Sequence, residues 1–334
     1  MALRLVELVI PATSVDAVAE LASVGGVLGR WDDQLAGDLT LIRMLVDVQQ
    51  TELLLDDLEH RFGNTDGFRV ILLPIEATLP RPAEPSKEPT GGVQSTKLFE
   101  RISREELYHD IAESADISWV FATQVVLATM VAAVGLIRDD TAIIIGAMVI
   151  APLLGPNMSL CFATCLGDIE LARRALKANA VGLTIALAAS LFIGLVFAID
   201  PEGPAVASRT SVSGGDIVLA LASGCAGVLA FTAGAPSALI GVMVAVALLP
   251  PFAVFGLLLA NGEIELAVGA LMLVATNVIC VNLAGVLTFQ VQGVRPRTWW
   301  EADRAKKAMR VGVATWSTLL LILIALIALA ATNS

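Results

Sequence analysis

Twelve residues inside long apolar runs have the types and spacing that could do chemistry. Gly146, Met148, Pro152, Gly155, Pro156 and Asn157 lie in one run. Gly241, Met243, Pro250 and Pro251 lie in a second, and Asn277 and Asn282 in a third. A proline inside a helix removes one backbone donor and clashes with the preceding turn. In hydrocarbon the carbonyls so freed must be satisfied by protein or water. Paired breaks with side-chain amides beside them can therefore hold a small solute or ion near the middle of a bilayer, without covalent chemistry. The opposing reading is that the prolines kink helices for packing and the asparagines are hydrogen-bond glue between helices.

Other chemistries find little support. No Asp, Glu, Lys, Arg or His lies well inside the apolar runs, which argues against a carboxylate proton relay or a buried charged anchor. No nucleophile–base pair or phosphate loop is visible, so neither an enzyme nor a cofactor is expected. Cys161-x-x-x-Cys165 has a spacing that could hold a soft metal, but no histidine or acid accompanies it, and His60 and His109 lie outside the runs. All four cysteines read as small apolar fillers. The pairs Asp168/Glu170 and Glu263/Glu265 sit at run ends. They suit cation attraction at two mouths, or, as we favour, charge stabilisation of helix N-termini.

The elements that must position these residues are duplicated. Shifted by 95 residues, Ile145–Leu176 lies over Ile240–Leu271 without a gap, with 14 of 32 positions identical. Chance in an apolar composition gives roughly three or four. IGAMVIAPLLGP and GDIELA in the first copy become IGVMVAVALLPP and GEIELA in the second. A duplicated apolar unit with internal proline points to a transporter or channel.

With 334 residues, 56% of them hydrophobic, the chain has apolar runs long enough to span a bilayer, about 18 residues or more. Seven are expected: Ser118–Ile137, Thr141–Leu166, Asn179–Ile199, Ile217–Ala235, Ala238–Ala260, Ile264–Phe289 and Val311–Ala331. Arg101, Arg104, Arg173, Arg174, Lys177 and the basic stretch Arg295–Arg310 then fall on one side, which the positive-inside rule makes cytoplasmic. The expected location is the plasma (inner) membrane, multi-pass, with the N-terminus cytoplasmic and the C-terminus outside. Three crossings per copy, over 118–199 and 213–290, would invert the second copy, giving a 3+3 inverted repeat plus one final helix at 311–331. Re-entrant dips at the proline runs are the alternative, but they would put Arg173, Arg174 and Lys177 outside. The loop 291–310, with Trp299 and Trp300 among basic residues, reads as an interfacial segment touching anionic lipid. Small-residue spacings such as Ala220-x-x-x-Gly224 suit close helix packing, within a protomer or in a homo-oligomer.

Most of the net charge of −11 comes from acids outside the spans, largely in the first 116 residues, which argues for a solvated acidic domain and against a nucleic-acid partner. Residues 1–78 have the order βαββαβ, expected to form a ferredoxin-like α/β domain. The linker 79–97 is rich in proline and glycine. An amphipathic helix over 98–117, opened by the capping box Ser103-x-x-Glu106, is either a coupling element or a spacer.

SREELYHDIAESADIS at Ser103–Ser118 and GLIRDDTAIIIGAMVIAPLLGP at Gly135–Pro156 resemble a family of bacterial and archaeal membrane proteins defined by an uncharacterised hydrophobic domain. The resemblance covers about residues 100–290 and weakens in the second half, where GP has become Pro250-Pro251. It implies a polytopic membrane protein and supplies no catalytic residue. Two functions follow as expectations. One is a transporter or channel regulated by its N-terminal domain. The other is a membrane-anchored sensor or scaffold whose N-terminal domain binds a ligand or partner.

Overall fold

The computed structural model describes residues 3–24, 26–75, 78, 104–234, 248–294 and 299–333. The chain divides into two compact units, Met1–Tyr108 and His109–Ser334.

In the first unit, β1 (Leu3–Pro11), α1 (Val15–Val24), β2 (Val27–Gln34), β3 (Leu39–Asp47), α2 (Val48–Phe62) and β4 (Arg69–Ile75) follow in the order read from the sequence. The sheet is antiparallel throughout, in the order β2-β3-β1-β4. Alternation decides its faces. Val6, Leu8 and Ile10 of β1 and Ile42, Met44 and Val46 of β3 bury one face against Val18, Leu21, Leu54, Leu58 and Phe62 of the two helices. Each such side chain contributes about 1.5–3 kcal/mol when fully buried. Arg4 closes one end of this face with a two-pronged bond to Glu106, both contacts 3.0 Å.

Helix α3 (Arg104–Glu113) precedes the apolar helices. In the second unit α4 (Trp119–Ile137), α7 (Ile169–Val196), α9 (Gly214–Thr232), α11 (Ile264–Val291) and the Lys306–Ile327 part of α12 (Trp299–Asn333) are each long and apolar enough to cross a membrane. Between α4 and α7, α5 (Thr141–Ile150) and α6 (Leu154–Leu166) are bent by 53° and make a sixth candidate if they are one span. Short α8 (Pro204–Ala207) lies between α7 and α9. Helix α10 (Leu249–Ala260) is too short to cross alone at 12 residues. The expected fifth run, Ala238–Ala260, is described only from Leu248 onward, so the described residues hold five or six of the seven expected spans. This is a multi-pass membrane protein with a small antiparallel sheet at its N-terminus.

Several boundaries differ from the sequence reading, and the helix expected over 98–117 is described from Arg104 and ends at Glu113. Helix α7 starts at Ile169, ten residues before the expected Asn179, because Asp168 caps it and Arg173, Arg174 and Lys177 are good helix formers. The stretch expected as an interfacial loop is helical from Trp299 and runs into the last span without interruption.

Among the described residues the 95-residue offset recurs in the helix starts. Helices α4 and α9 start 95 residues apart and are both 19 residues long. The same offset separates Leu154 of α6 from Leu249 of α10. It also separates α7 from α11, each of 28 residues. Gly167 and Gly262, again one offset apart, take left-handed φ values of 70° and 84° between the short and long helices, a conformation that favours glycine.

Contacts give these helices their directions. Asn261, just before α11, donates to the Gly194 carbonyl near the C-terminus of α7 at 3.1 Å. Toward the other end of α11, Gly285 lies against Cys161 of α6, whose own C-terminus leads into α7. The Ala205 backbone N–H of α8 donates to Asp139, after α4, at 2.7 Å. An ion pair joins Arg174, early in α7, to Asp116, just before α4.

Candidate functional site

The first break is made by Pro152. Helix α5 starts on the Asp140 side chain, which accepts from Ala142 N at 2.9 Å and Ile143 N at 3.2 Å. It stops at Ile150 because Pro152 has no N–H for the Met148 carbonyl. The residue before a proline is pushed out of the helical region, and Ala151 is extended at φ −68°, ψ 120°. The chain then restarts as α6 at Leu154.

Pro156, which the sequence suggested as a mid-span interruption, sits instead in the first turn of α6. Pro250 and Pro251 likewise sit in the first turn of α10. A first-turn proline costs no hydrogen bond, since those N–H groups have no intrahelical partner. Pro156 therefore begins the second half of the bent pair, and Pro250 and Pro251 stand at the start of a 12-residue helix.

The break lies at mid-height. Gly182 is the fourteenth of the 28 residues of α7, and a Cβ there would stand 2.8 Å from Leu153 Cδ2, in the break itself. With α6 ending where α7 begins and α5 starting beside the Asp139–Ala205 contact, the bent pair runs the length of α7 in the opposite direction.

Beside the break runs a chain of amides. Asn157 Nδ2 donates to the Leu153 carbonyl at 2.9 Å and to Asn179 Oδ1 at 3.0 Å. Its Oδ1 accepts from Asn282 Nδ2 at 3.2 Å. Asn282 Nδ2 also donates to the Val278 carbonyl at 2.8 Å, and its Oδ1 accepts from Cys161 Sγ at 3.3 Å. Asn157, Asn282 and Cys161 are all buried. Both N–H bonds of Asn157 and of Asn282 are used, so a solute that accepts hydrogen bonds can take them only by exchange. This geometry favours interhelical glue for Asn157 and Asn282.

The sequence singled out Asn157 and Asn282; the structure brings them together and adds Asn179 and Cys161. Asn179 stood at the edge of an expected span, where a polar residue draws no notice. Asn277 is buried on α11, five residues before Asn282 and so on another face of the helix. Met148 is buried in the apolar core. Gly146 has open space where a Cβ would be. Gly241 and Met243 lie outside the described residues.

A serine pair holds the end of α3 to the restarted helix. Ser159 Oγ donates to the Ile111 carbonyl at 2.6 Å and lies 3.2 Å from Ser114 Oγ. A Cβ on Gly155 would stand 2.7 Å from Ser114 Cβ, so only glycine fits there without displacement.

The acidic pairs part ways. Asp168 accepts from Leu171 N at 3.0 Å and caps α7, while Glu170 pairs with Arg173 at 3.1 Å. Glu263 makes no side-chain cap and lines an open depression of about 670 Å³ with Asp200, Glu202 and Thr210. Near this depression, burial lowers the pKa of the Arg209 guanidinium, an effect opposed by the charge of Asp139. Among the described residues no three His, Cys, Asp or Glu side chains gather as metal ligands. The Cys161 and Cys165 thiols face carbonyls, Cys165 donating to Val286 O at 3.3 Å.

Residues 148–283 match the family model described as Domain of unknown function (DUF389), a stretch that holds the break and the Asn157–Asn282 contact. Over 328 residues the chain is 33% identical to the uncharacterized protein MJ0678 of Methanocaldococcus jannaschii, covering 98% of this chain and 99% of that one. No solved structure matches. A likeness that runs nearly end to end through both proteins, together with the matched membrane core, means that the chain belongs to the Domain of unknown function (DUF389) family.

Proposed function

We propose that this protein is a transporter or channel for a small solute or ion, with its pathway between two inverted halves at the paired half-helix starts. The observation that carries the reading is the recurrence of the half-helix start: Leu154–Pro156 and Leu249–Pro251 occupy the same position in two sets of helices with matching lengths. Interrupted helices near the midplane at the interface of two repeats are a recurring design of secondary transporters. Support for inversion comes from direction. Helix α7 ends beside the start of α11, and α11 runs back toward the end of α6, so equivalent helices point opposite ways.

The basic residues support a cytoplasmic N-terminus in an inner membrane. Gly312 of α12 packs on Thr164 near the end of α6, which brings Lys306, Lys307 and Arg310 toward the end that carries Arg173 and Arg174. The βαββαβ order with strand order β2-β3-β1-β4 supports a ferredoxin-like reading of the first unit. In this proposal that unit regulates the pathway and α3, held at Ser159, couples to the half-helix α6. Anionic lipid binds the basic stretch Arg295–Arg310.

The sensor or scaffold reading draws on the hydrogen-bonded amide chain, which suits a rigid anchor. Purified protein in planar bilayers separates the two. Current or solute flux that changes in Pro156→Ala and Pro251→Ala, with melting little altered, supports the pathway. Well-folded protein that passes neither current nor electroneutral flux favours the sensor.

A further inference from the structure

We infer that the face of the N-terminal sheet opposite α1 and α2 is the docking surface for a second copy of this chain. This does not rest on the transport reading. Strand register lays the face out in rows across β2, β3, β1 and β4. The middle row is Trp31, Arg43, Glu7, Ile71. The next is Asp33, Leu41, Val9, Arg69. On the other side of the middle row lie Gly29, Leu45, Leu5 and Leu73. Trp31, Ile71 and Leu73 are 54%, 40% and 41% exposed, a large apolar exposure for a small domain.

The charges identify the occupant. Arg43 binds Glu7 at 2.8 Å and also pairs with Asp33, so basic and acidic groups alternate across the face. The pattern reverses sign about the line between β3 and β1. A two-fold axis along that line, with the sheets stacked face to face, lays the second copy's β4 over β2 and its β1 over β3. Asp33 then meets the second copy's Arg69, Arg43 its Glu7, and Trp31 its Ile71. Around the axis the two Arg43 and two Glu7 side chains alternate in sign. A lipid surface would need a predominantly basic face, and this one has an acid for each base. Four strands by three rows span about 20 by 20 Å, on the order of 400 Å² per copy. That is half the usual area per partner, about 800 Å², so confinement to the same membrane must contribute through local concentration.

Bismaleimide cross-linking of the full chain in its membrane tests the geometry. Trp31→Cys/Ile71→Cys is expected to give a covalent dimer. Each single variant should give far less, since Trp31 faces Ile71 and not its own copy. Mixing the two singles should restore the product, and Arg69→Asp added to the double variant should reduce it several-fold. Glu59→Cys, on the helix side, gives the background. A double variant that cross-links no better than Glu59→Cys overturns the proposal, even if the membrane unit holds copies together. So does a Trp31→Cys thiol shielded from a water-soluble maleimide in dilute, monomeric protein, because the chain itself would then cover the face.

Discussion

Asn282 Nδ2 donates to Asn157 Oδ1 at 3.2 Å, across 125 residues of chain. The bond joins the long helix of the second repeat to the half-helix that restarts beside the first break, and both side chains are buried. An amide held this way loses more when its partner is deleted than the bond is worth, because the survivor stays buried with an unmet group.

Asn157→Leu and Asn282→Leu should each destabilise the protein by about 1–3 kcal/mol. The double variant should cost less than the two together, by about 0.5–2 kcal/mol. Unfolding in mixed micelles through a double-mutant cycle measures this. Strictly additive losses would show that the contact contributes nothing.

Pro152 and Pro156 should behave differently although they are four residues apart. Pro152→Ala returns an N–H to the Met148 carbonyl and lets α5 continue, so the 53° bend should relax. Spin labels at Thr141 and Thr164 would report a longer separation. Pro156→Ala, in a first turn, should leave that distance unchanged and shift stability by less than about 1 kcal/mol. Equal responses would mean the break is not made by Pro152.

Glycines sort by what surrounds them. A Cβ at Gly224 would stand 2.7 Å from the Val281 carbonyl, where α9 crosses α11. Gly224→Leu should therefore abolish folded protein or lower its melting temperature sharply. At Gly146 nothing lies within 4 Å of an added Cβ. Gly146→Ala should be neutral or stabilise by up to about 1 kcal/mol through helix propensity. A melting series of the two variants checks the contrast.

The acidic residues opening the two long helices are equivalent in sequence and unequal in use. Asp168→Ala removes a cap on Leu171 N and should cost about 0.5–2 kcal/mol. Glu263→Ala removes no cap and should cost a few tenths of a kcal/mol through the helix dipole alone. Comparable losses would contradict this.

Much of the architecture was legible from local pattern. Period-two alternation located the strands, since Val6, Leu8 and Ile10 must share a face whatever lies above them. Apolar length located the crossing helices, because hydrocarbon tolerates no unpaired backbone. The 95-residue self-match identified the duplication, and the helix boundaries repeat at that offset. All of this is carried by neighbours along one chain.

Three features needed the tertiary structure. Proline's meaning depends on its position in a helix: sequence marked Pro152, Pro156, Pro250 and Pro251 alike, but a first-turn proline interrupts nothing, and of the four Pro152 does the breaking. An amide's role depends on who meets it, and the partners of Asn157 stand 22 and 125 residues away. The sign pattern of the open sheet face exists only once register sets Asp33 and Arg69 at opposite edges of one row. Each is a relation between distant residues, so composition and spacing along the chain could raise the candidates, and only packing could decide among them.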